Sequence, residues 1–166
     1  VFINGIPVTI LEFKSAIEED TTIHDAWEQI TIRYCRDIPK LMKYCFLSVI
    51  SDGANNRMGS IFTPYEYYYA WNKANDQDKV SNGISSLYTM IEGAFAKERV
   101  LQILRDFVFY PDDSKKDEAI VCRYPQYFGA NKMLANIKEH MRPEGDGKGG
   151  TYFGATGCGK TYTMLF

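Results

Sequence analysis

The sequence predicts an α/β chain, and three observations carry that prediction. Gly154-Ala155-Thr156-Gly157-Cys158-Gly159-Lys160-Thr161 matches the full GxxxxGK[ST] phosphate-loop pattern, which joins a strand to a helix. Cys45-Phe46-Leu47-Ser48-Val49-Ile50 is a continuous apolar run with the length of a buried strand. Between such runs, apolar residues recur at helical spacing, as in Ile23, Ala26, Trp27, Ile30 and Tyr34.

Taken in order, Val1 to Ile3 and Val8 to Lys14 read as two strands of an antiparallel hairpin joined by Asn4-Gly5-Ile6-Pro7, with Asn-Gly supplying the positive φ angles of a tight turn. Thr22 to Tyr34 reads as a helix, and Pro39 opens another short element. The strand ending at Ile50 closes on the turn Ser51-Asp52-Gly53, where Asp52 is first of all a turn former. The five aromatics Tyr65, Tyr67, Tyr68, Tyr69 and Trp71 are expected on one helix, mostly as core, with a stacking platform for unpaired bases as the alternative. Asp76 to Gly83 is polar and loop-like. Leu87, Ile91, Phe95, Leu101, Leu104 and Phe107 then mark a long helical region interrupted near Gly93. The charged stretch Pro111 to Glu118 suggests a domain boundary, dividing the chain into 1–110 and 111–166. Beyond it, Asn131 to Met141 reads as a helix and Pro143 to Gly150 as a loop. Thr151-Tyr152-Phe153 reads as a short buried strand entering the phosphate loop, and Thr161 to Phe166 as the helix leaving it.

Composition fits a cytoplasmic protein. Charged residues make up 24% and the net charge is −2, so no global basic excess advertises nucleic-acid binding, although a local basic channel need not show in a net charge. The apolar runs are too short to span a bilayer, and the start lacks a secretory pattern. Cys35, Cys45, Cys122 and Cys158 share no CxxC spacing and have only His24 and His140 for company, which favours reduced thiols over a zinc site or a disulfide framework.

Two stretches carry chemistry. In the phosphate loop, Gly154, Gly157 and Gly159 let the backbone curl so that N–H groups of Thr156, Cys158 and their neighbours face phosphates. Lys160 holds the β- and γ-phosphates of ATP, and Thr161 holds Mg²⁺. Hydrolysis also needs an acidic metal ligand and a group that orients water, which come from strands further along such a domain. The chain is therefore expected to be an internal piece of a larger protein, holding the start of a motor domain and something before it. The second stretch is Ile10-Leu11-Glu12-Phe13-Lys14. Strand alternation puts Glu12 and Lys14 on one face and Leu11 and Phe13 toward the core. A carboxylate that holds Mg²⁺ and a cation that faces the phosphate are what metal-dependent phosphodiester cleavage needs, yet an ExK triplet is common, and taken by itself a surface salt bridge on an edge strand is the better reading.

The order of motifs is more specific. An NGIP turn feeding Glu12-Phe13-Lys14, then a helix with Gln29 and Tyr34 running into Arg36-Asp37-Ile38-Pro39, then a buried strand ending Ile50-Ser51-Asp52-Gly53, resembles the nuclease domain of the R (restriction) subunit of type I restriction-modification enzymes. Lys97-Glu98-Arg99, Arg123-Tyr124-Pro125-Gln126-Tyr127-Phe128 and Gly147-Lys148-Gly149-Gly150 before the phosphate loop look like that family's passage into its first motor domain. A type III subunit is a rival by chemistry, but it places its nuclease after the motor.

The resemblance implies a PD-(D/E)xK nuclease-like mixed sheet flanked by helices over 1–110, followed from 111 by the start of a RecA-like superfamily 2 motor. It implies an ATP-dependent endonuclease and translocase acting on double-stranded DNA with Mg²⁺, in a complex with methylation (M) and specificity (S) subunits. Glu12 would be a metal ligand and Lys14 the catalytic lysine, with the first acidic residue of the motif a few positions before Val1, so that Val1 to Phe166 alone should cleave slowly or not at all. Gln126 resembles the adenine-recognising glutamine upstream of the phosphate loop; the alternative is a solvent-facing residue at a helix start. The family's glutamine and tyrosine are usually four apart. Gln29 and Tyr34 are five apart and would diverge by roughly 140° in a regular helix. A one-residue bulge would realign them; otherwise Gln29 acts alone, Arg33 takes the tyrosine's position, or Tyr34 is a core aromatic. Outside the family, the alternative is a repair or remodelling helicase with a non-catalytic upstream domain.

Overall fold

A computed structural model of the protein describes residues 1–15, 21–111 and 119–166. The opening turn is tighter than expected. Strands β1 (Phe2–Ile3) and β2 (Ile6–Pro7) pair antiparallel around Asn4-Gly5 alone, whose φ angles of 49° and 80° are the left-handed pair that a two-residue hairpin needs. Strand β3 (Thr9–Phe13) is not the hairpin's second arm. It leaves the hairpin and pairs parallel with β4 (Leu47–Ser51), which in turn pairs antiparallel with β5 (Asn56–Ser60). The Val8 N–H still donates to the Val1 carbonyl at 2.9 Å, and from Thr9 onward the chain pairs with β4 instead.

β4 is the middle strand and is buried along its whole length, as a sheet covered on both faces requires. Val49 and Met58, with Leu11, face one core that includes Trp71, Met90, Ile103 and Tyr127. Ile50, with Ile10, faces a second core holding Ala26, Ile30, Met42 and Tyr68. Each large aliphatic side chain in these layers contributes about 1.5–3 kcal/mol by leaving water. Phe13, expected in the core, is 54% exposed, because it is the last residue of β3 and overruns the packed layer.

The connection from β3 to β4 is helical. α1 (Ile23–Glu28) starts at a capping box in which the Thr22 hydroxyl accepts from the Asp25 N–H and the Asp25 carboxylate accepts from the Thr22 N–H at 2.6 Å. It continues without a break through a π-helical turn (Gln29–Tyr34) into α2 (Cys35–Asp37), and α3 (Pro39–Met42) follows. The aromatic run is not on one helix. A 3₁₀ turn (Tyr65–Tyr67) gives way to extended chain, and Met58 and Tyr69 exchange backbone hydrogen bonds of 2.9 and 3.0 Å; Tyr68 and Trp71 are buried while Tyr67 is 61% exposed. Extended chain turns successive side chains to opposite sides.

α4 (Ser85–Ala94) and α5 (Lys97–Asp106) form the expected helical region, interrupted near Gly93 as expected, at Phe95-Ala96. Gly93 lies inside α4 because the Trp71 indole leaves no space there: a Cβ would sit 2.5 Å from Trp71 Nε1 and 2.7 Å from the Lys73 carbonyl. The expected domain boundary at 110/111 adjoins residues 112–118, which lie outside the described residues. Strands β6 (Val108–Phe109) and β7 (Ile120–Val121) pair across it, and Phe107, Cys122, Tyr127 and Ala130 share one core with Val49 and Met58, so packing continues where the sequence changes character.

α6 (Tyr124–His140) begins seven residues before the expected start at Asn131. Pro125 sits in its first turn, where a missing N–H costs nothing. Residues 151–153 form no strand, and Phe153 is 91% exposed, since among the described residues no strand lies beside them to complete a ladder. α7 (Lys160–Leu165) leaves the phosphate loop as expected and packs on α6, where Gly129 keeps Tyr152 and Thr163 in close contact. Among the described residues, no helix is long and apolar enough to cross a membrane. All four cysteines are free thiols.

Candidate functional site

Glu12 and Lys14 sit at the end of β3, an edge strand of the sheet among the described residues, on the face covered by the first helix. They point the same way, as alternation requires, and Lys14 Nζ lies 3.2 Å from Glu12 Oε1. Their side chains are only 17% (Lys14) and 15% (Glu12) exposed. Backbone pairing fixes the spot: Glu12 is in register with Ile50, and the Lys14 N–H donates to the Ser51 carbonyl at 2.8 Å.

The helix brings the other two residues. Within the π-helical turn each residue closes on the one five positions on, so Gln29 and Tyr34 meet on one face despite their spacing. Gln29 Nε2 donates to the Tyr34 hydroxyl at 2.6 Å, the Tyr34 hydroxyl donates to Glu12 Oε2 at 3.0 Å, and Lys14 Nζ donates to Gln29 Oε1. The four side chains form a closed ring, Glu12 to Lys14 to Gln29 to Tyr34 and back. Tyr34 is therefore a member of the polar ring that also borders the second core, and Arg33 is exposed beside it. The ring offers one carboxylate to a cation, and no cluster of three or more His, Cys, Asp or Glu that could hold a metal ion occurs among the described residues. A Mg²⁺ ion keeps several waters and needs only one or two protein carboxylates besides substrate phosphate, so the donor set fits a single contribution from Glu12.

At the other end of the chain, Gly157 and Gly159 adopt φ angles of 78° and 82°, which only glycine takes without strain. Ala155, Thr156 and Gly157 are exposed at the loop's tip, as is Thr161 behind it. Lys160 folds over the loop, with Nζ donating to the carbonyls of Gly154 at 2.8 Å and Ala155 at 2.9 Å. Gly154 leaves room for the Cys158 thiol, which a Cβ would approach at 2.9 Å. This curled backbone with a lysine across it fits a polyphosphate.

Gln126 is not solvent-facing. It is 5% exposed in the first turn of α6, where Oε1 accepts from the Arg123 N–H at 2.7 Å and Nε2 donates to the Gly159 carbonyl at 3.2 Å. A cleft of about 410 Å³ opens beside it, bounded by Gly157, Gly159 and Tyr162 on one side and by Tyr69, Trp71 and Arg123 on the other. Sequence reasoning missed Tyr69 and Arg123 as neighbours of the loop; no local signal joins positions so far apart.

Asp52, Arg57 and His24 serve local structure. Asp52 caps its own turn: burial opposes its charge, but hydrogen bonds from the Asn55 side chain and from the Asn55 and Ala54 N–H groups hold its carboxyl below the usual range. Arg57 lies over the Tyr65 ring, and His24 packs edge-on against Tyr65.

A mixed α/β fold whose sheet edge carries an acid–lysine pair under a helix is the class defined here, compatible with an N-terminal nuclease region. The family model for the type I restriction enzyme R protein N terminus (HSDR_N) matches residues 1–67. The chain is 32% identical over 186 aligned positions to a Methanocaldococcus jannaschii protein named as the type I restriction enzyme MjaIXP endonuclease subunit, covering all of this chain and 17% of that protein. It is 27% identical over 168 positions to the type I restriction enzyme HindI endonuclease subunit of Haemophilus influenzae, covering 99% of this chain and 16% of that one. The chain belongs to the R proteins of type I restriction enzymes. It spans about a sixth of the length of these relatives.

Proposed function

We propose that this chain supplies the nuclease site and the first nucleotide-binding motif of the endonuclease subunit of a type I restriction enzyme. Such a subunit cleaves unmodified foreign double-stranded DNA in the cytoplasm, with Mg²⁺ and ATP-driven translocation, in complex with methylation and specificity subunits. Residues 1–110 carry the nuclease-like part, and 111–166 begin a RecA-like motor. The single observation that carries this reading is the ring of Glu12, Lys14, Gln29 and Tyr34, closed across a strand and a π-helical turn.

Glu12 would hold the Mg²⁺, whose role is to polarise the phosphodiester and lower the pKa of a bound water. An ammonium has three N–H donors. Lys14 directs two toward Glu12 and Gln29, which leaves the third for an oxygen of the scissile phosphate, where it offsets the charge of the pentacoordinate state. Gln29 and Tyr34 fix where the lysine and the carboxylate point, so that neither must reorganise as charge develops. Lys160 repeats the arrangement at the other site: two donors go to loop carbonyls, and the third meets the β- and γ-phosphates of ATP, with Thr161 as the Mg²⁺ ligand.

The test is Mg²⁺-dependent DNA cleavage by the natural polypeptide that carries this chain, assembled with its partner subunits. Glu12→Ala and Lys14→Ala should each lower cleavage about 100-fold or more while ATP hydrolysis continues. Wild-type cleavage by Glu12→Ala would falsify the nuclease assignment. One observation favours a second reading, a motor protein whose upstream domain only docks partners or DNA: both Glu12 oxygens are already engaged by Lys14 and Tyr34. In that case calorimetry with Mn²⁺ finds no difference between wild type and Glu12→Ala.

A further inference from the structure

Lys14 follows the last residue of β3, and its N–H donates to the Ser51 carbonyl at 2.8 Å. Ser51 closes β4 and turns its side chain to the opposite face of the sheet from Glu12, which is in register with Ile50. On that reverse face the Ser51 hydroxyl accepts from the Gly53 N–H at 2.9 Å and donates to Asn56 Oδ1 at 2.5 Å. Asn56 Nδ2 donates to the Ser86 hydroxyl at 2.7 Å, and that hydroxyl donates to the Gly83 carbonyl at 2.6 Å. The hydrogen bonds thus run in one direction, each hydroxyl giving one hydrogen and taking another. Ser51, Asn56 and Ser86 are 0%, 3% and 5% exposed. Ser51 and Asn56 face each other across the β4–β5 ladder, and Ser86 stands in the first turn of α4.

The first core, with Val49, Met58 and Met90, lies on the same face, and apolar side chains could fill this end of it too. A buried polar network permits one arrangement instead, because moving any member leaves a donor or acceptor unpaired away from water. It therefore fixes the end of β4, and with it the carbonyl that holds the Lys14 backbone. Glu12 and Gln29 set the direction of the Lys14 ammonium, whereas the network sets where that side chain starts.

We propose that Ser51, Asn56 and Ser86 are positioning residues of the nuclease site, a buried polar network that holds the Ser51 carbonyl, and through it the Lys14 backbone, so that the ammonium meets the scissile phosphate. The inference rests on the reading of the Glu12, Lys14, Gln29 and Tyr34 ring as a nuclease site, and extends the support of that site through the sheet to α4. A small misplacement of a reacting group slows a reaction steeply, so loosening the network should slow the chemical step and spare binding.

The experiment is single-turnover cleavage at saturating DNA by the natural polypeptide assembled with its partner subunits, with DNA affinity and ATP hydrolysis measured alongside. Ser86→Ala and Asn56→Leu should each slow cleavage about tenfold and leave DNA affinity and ATP hydrolysis within about twofold of wild type. Ser86→Thr restores a hydroxyl and should recover most of the lost rate. In a Lys14→Met background the first two substitutions should add no further loss, because the lysine they position is gone. Unchanged cleavage in both variants would overturn the inference. So would an equal fall in cleavage, DNA affinity and ATP hydrolysis, or the same fractional loss with and without Lys14, since either marks a general loosening of the fold. Wild-type cleavage by Lys14→Ala would instead sink the nuclease reading, and this inference with it. If Asn56→Leu does not fold, Ser86→Ala, which removes a single hydroxyl, decides by the same comparisons.

Discussion

Lys14 and Lys160 are each anchored twice, but Lys14 is held by the side chains of Glu12 and Gln29, whereas Lys160 is held by the backbone carbonyls of Gly154 and Ala155. The first site is assembled from a strand and a helix that meet only in the folded chain, and its four side chains are interdependent. The second is assembled within eight consecutive residues by backbone conformation, and it depends on glycines more than on side-chain partners. A side-chain site fails when one partner is lost, because the others lose their orientation. A backbone site fails when a Cβ is added where φ is positive.

The sharpest way to break the comparison is to neutralise each lysine. In the natural polypeptide, Lys160→Met should cut ATP hydrolysis about 100-fold or more, and Lys14→Met should cut DNA cleavage to a similar extent while ATP hydrolysis stays within about twofold. Parallel hydrolysis and cleavage assays read both, and a Lys14→Met enzyme that also loses ATP hydrolysis would mean the two sites are one unit.

Next in size is Gly159→Ala. Its φ of 82° disfavours any side chain, and the new Cβ would collide with the Gln126 amide. The left-handed conformation alone costs about 1–2 kcal/mol, so nucleotide affinity measured by titration should fall about tenfold, with DNA affinity unchanged.

The upstream ring allows a finer test. Tyr34→Phe removes the hydroxyl that joins Gln29 to Glu12, and loss of one such hydrogen bond, about 1 kcal/mol, should slow cleavage roughly fivefold. Deleting Ile32, which is 54% exposed within the π-helical turn, makes the spacing of Gln29 and Tyr34 four and lets an ordinary helix keep them on one face. Cleavage should then stay within about threefold of wild type; a loss as large as that of Lys14→Met would show that the bulge itself is needed.

A further test, independent of both sites, is stability at alkaline pH. Burial pushes up the Cys122 thiol, and burial, opposed by a hydrogen bond with Ser48, pushes up the Tyr68 hydroxyl. Folded values above the unfolded ones mean that their contribution is intact below the ordinary thiol value of 9.0 and is lost as pH rises beyond it, with Tyr68 joining above 10.0. Each group can contribute a decline of up to about 1.4 kcal/mol per pH unit. Urea midpoints at pH 8, 9.5 and 11 should fall in that order, and Cys122→Ala should flatten the first interval.

How much was legible follows the same division. The phosphate loop, the buried strand at Cys45 to Ile50 and the turn at Asp52-Gly53 were readable because each is encoded by neighbours in sequence, whether through glycine conformations, an apolar run or a side chain capping its own turn. The alternation that puts Glu12 and Lys14 on one face was readable for the same reason, whereas the bulge that realigns Gln29 and Tyr34 was only one of several readings that their spacing left open. What the sequence could not convey was which strand β3 pairs with, since hairpin and parallel pairing present the same alternating pattern and differ only in where a partner lies. The helix start at Tyr124 was hidden because proline in a first turn reads locally as a breaker, and the burial of Gln126 because its partner, Gly159, lies 33 residues away. By itself, then, the sequence determined the chemistry of each end: an acid–lysine strand and a phosphate loop, both set by local periodicity and backbone freedom. Only the tertiary structure decided that Gln29 and Tyr34 close a ring with that strand, and that Tyr69 and Arg123 face the loop, because contacts between distant residues depend on how the layers pack.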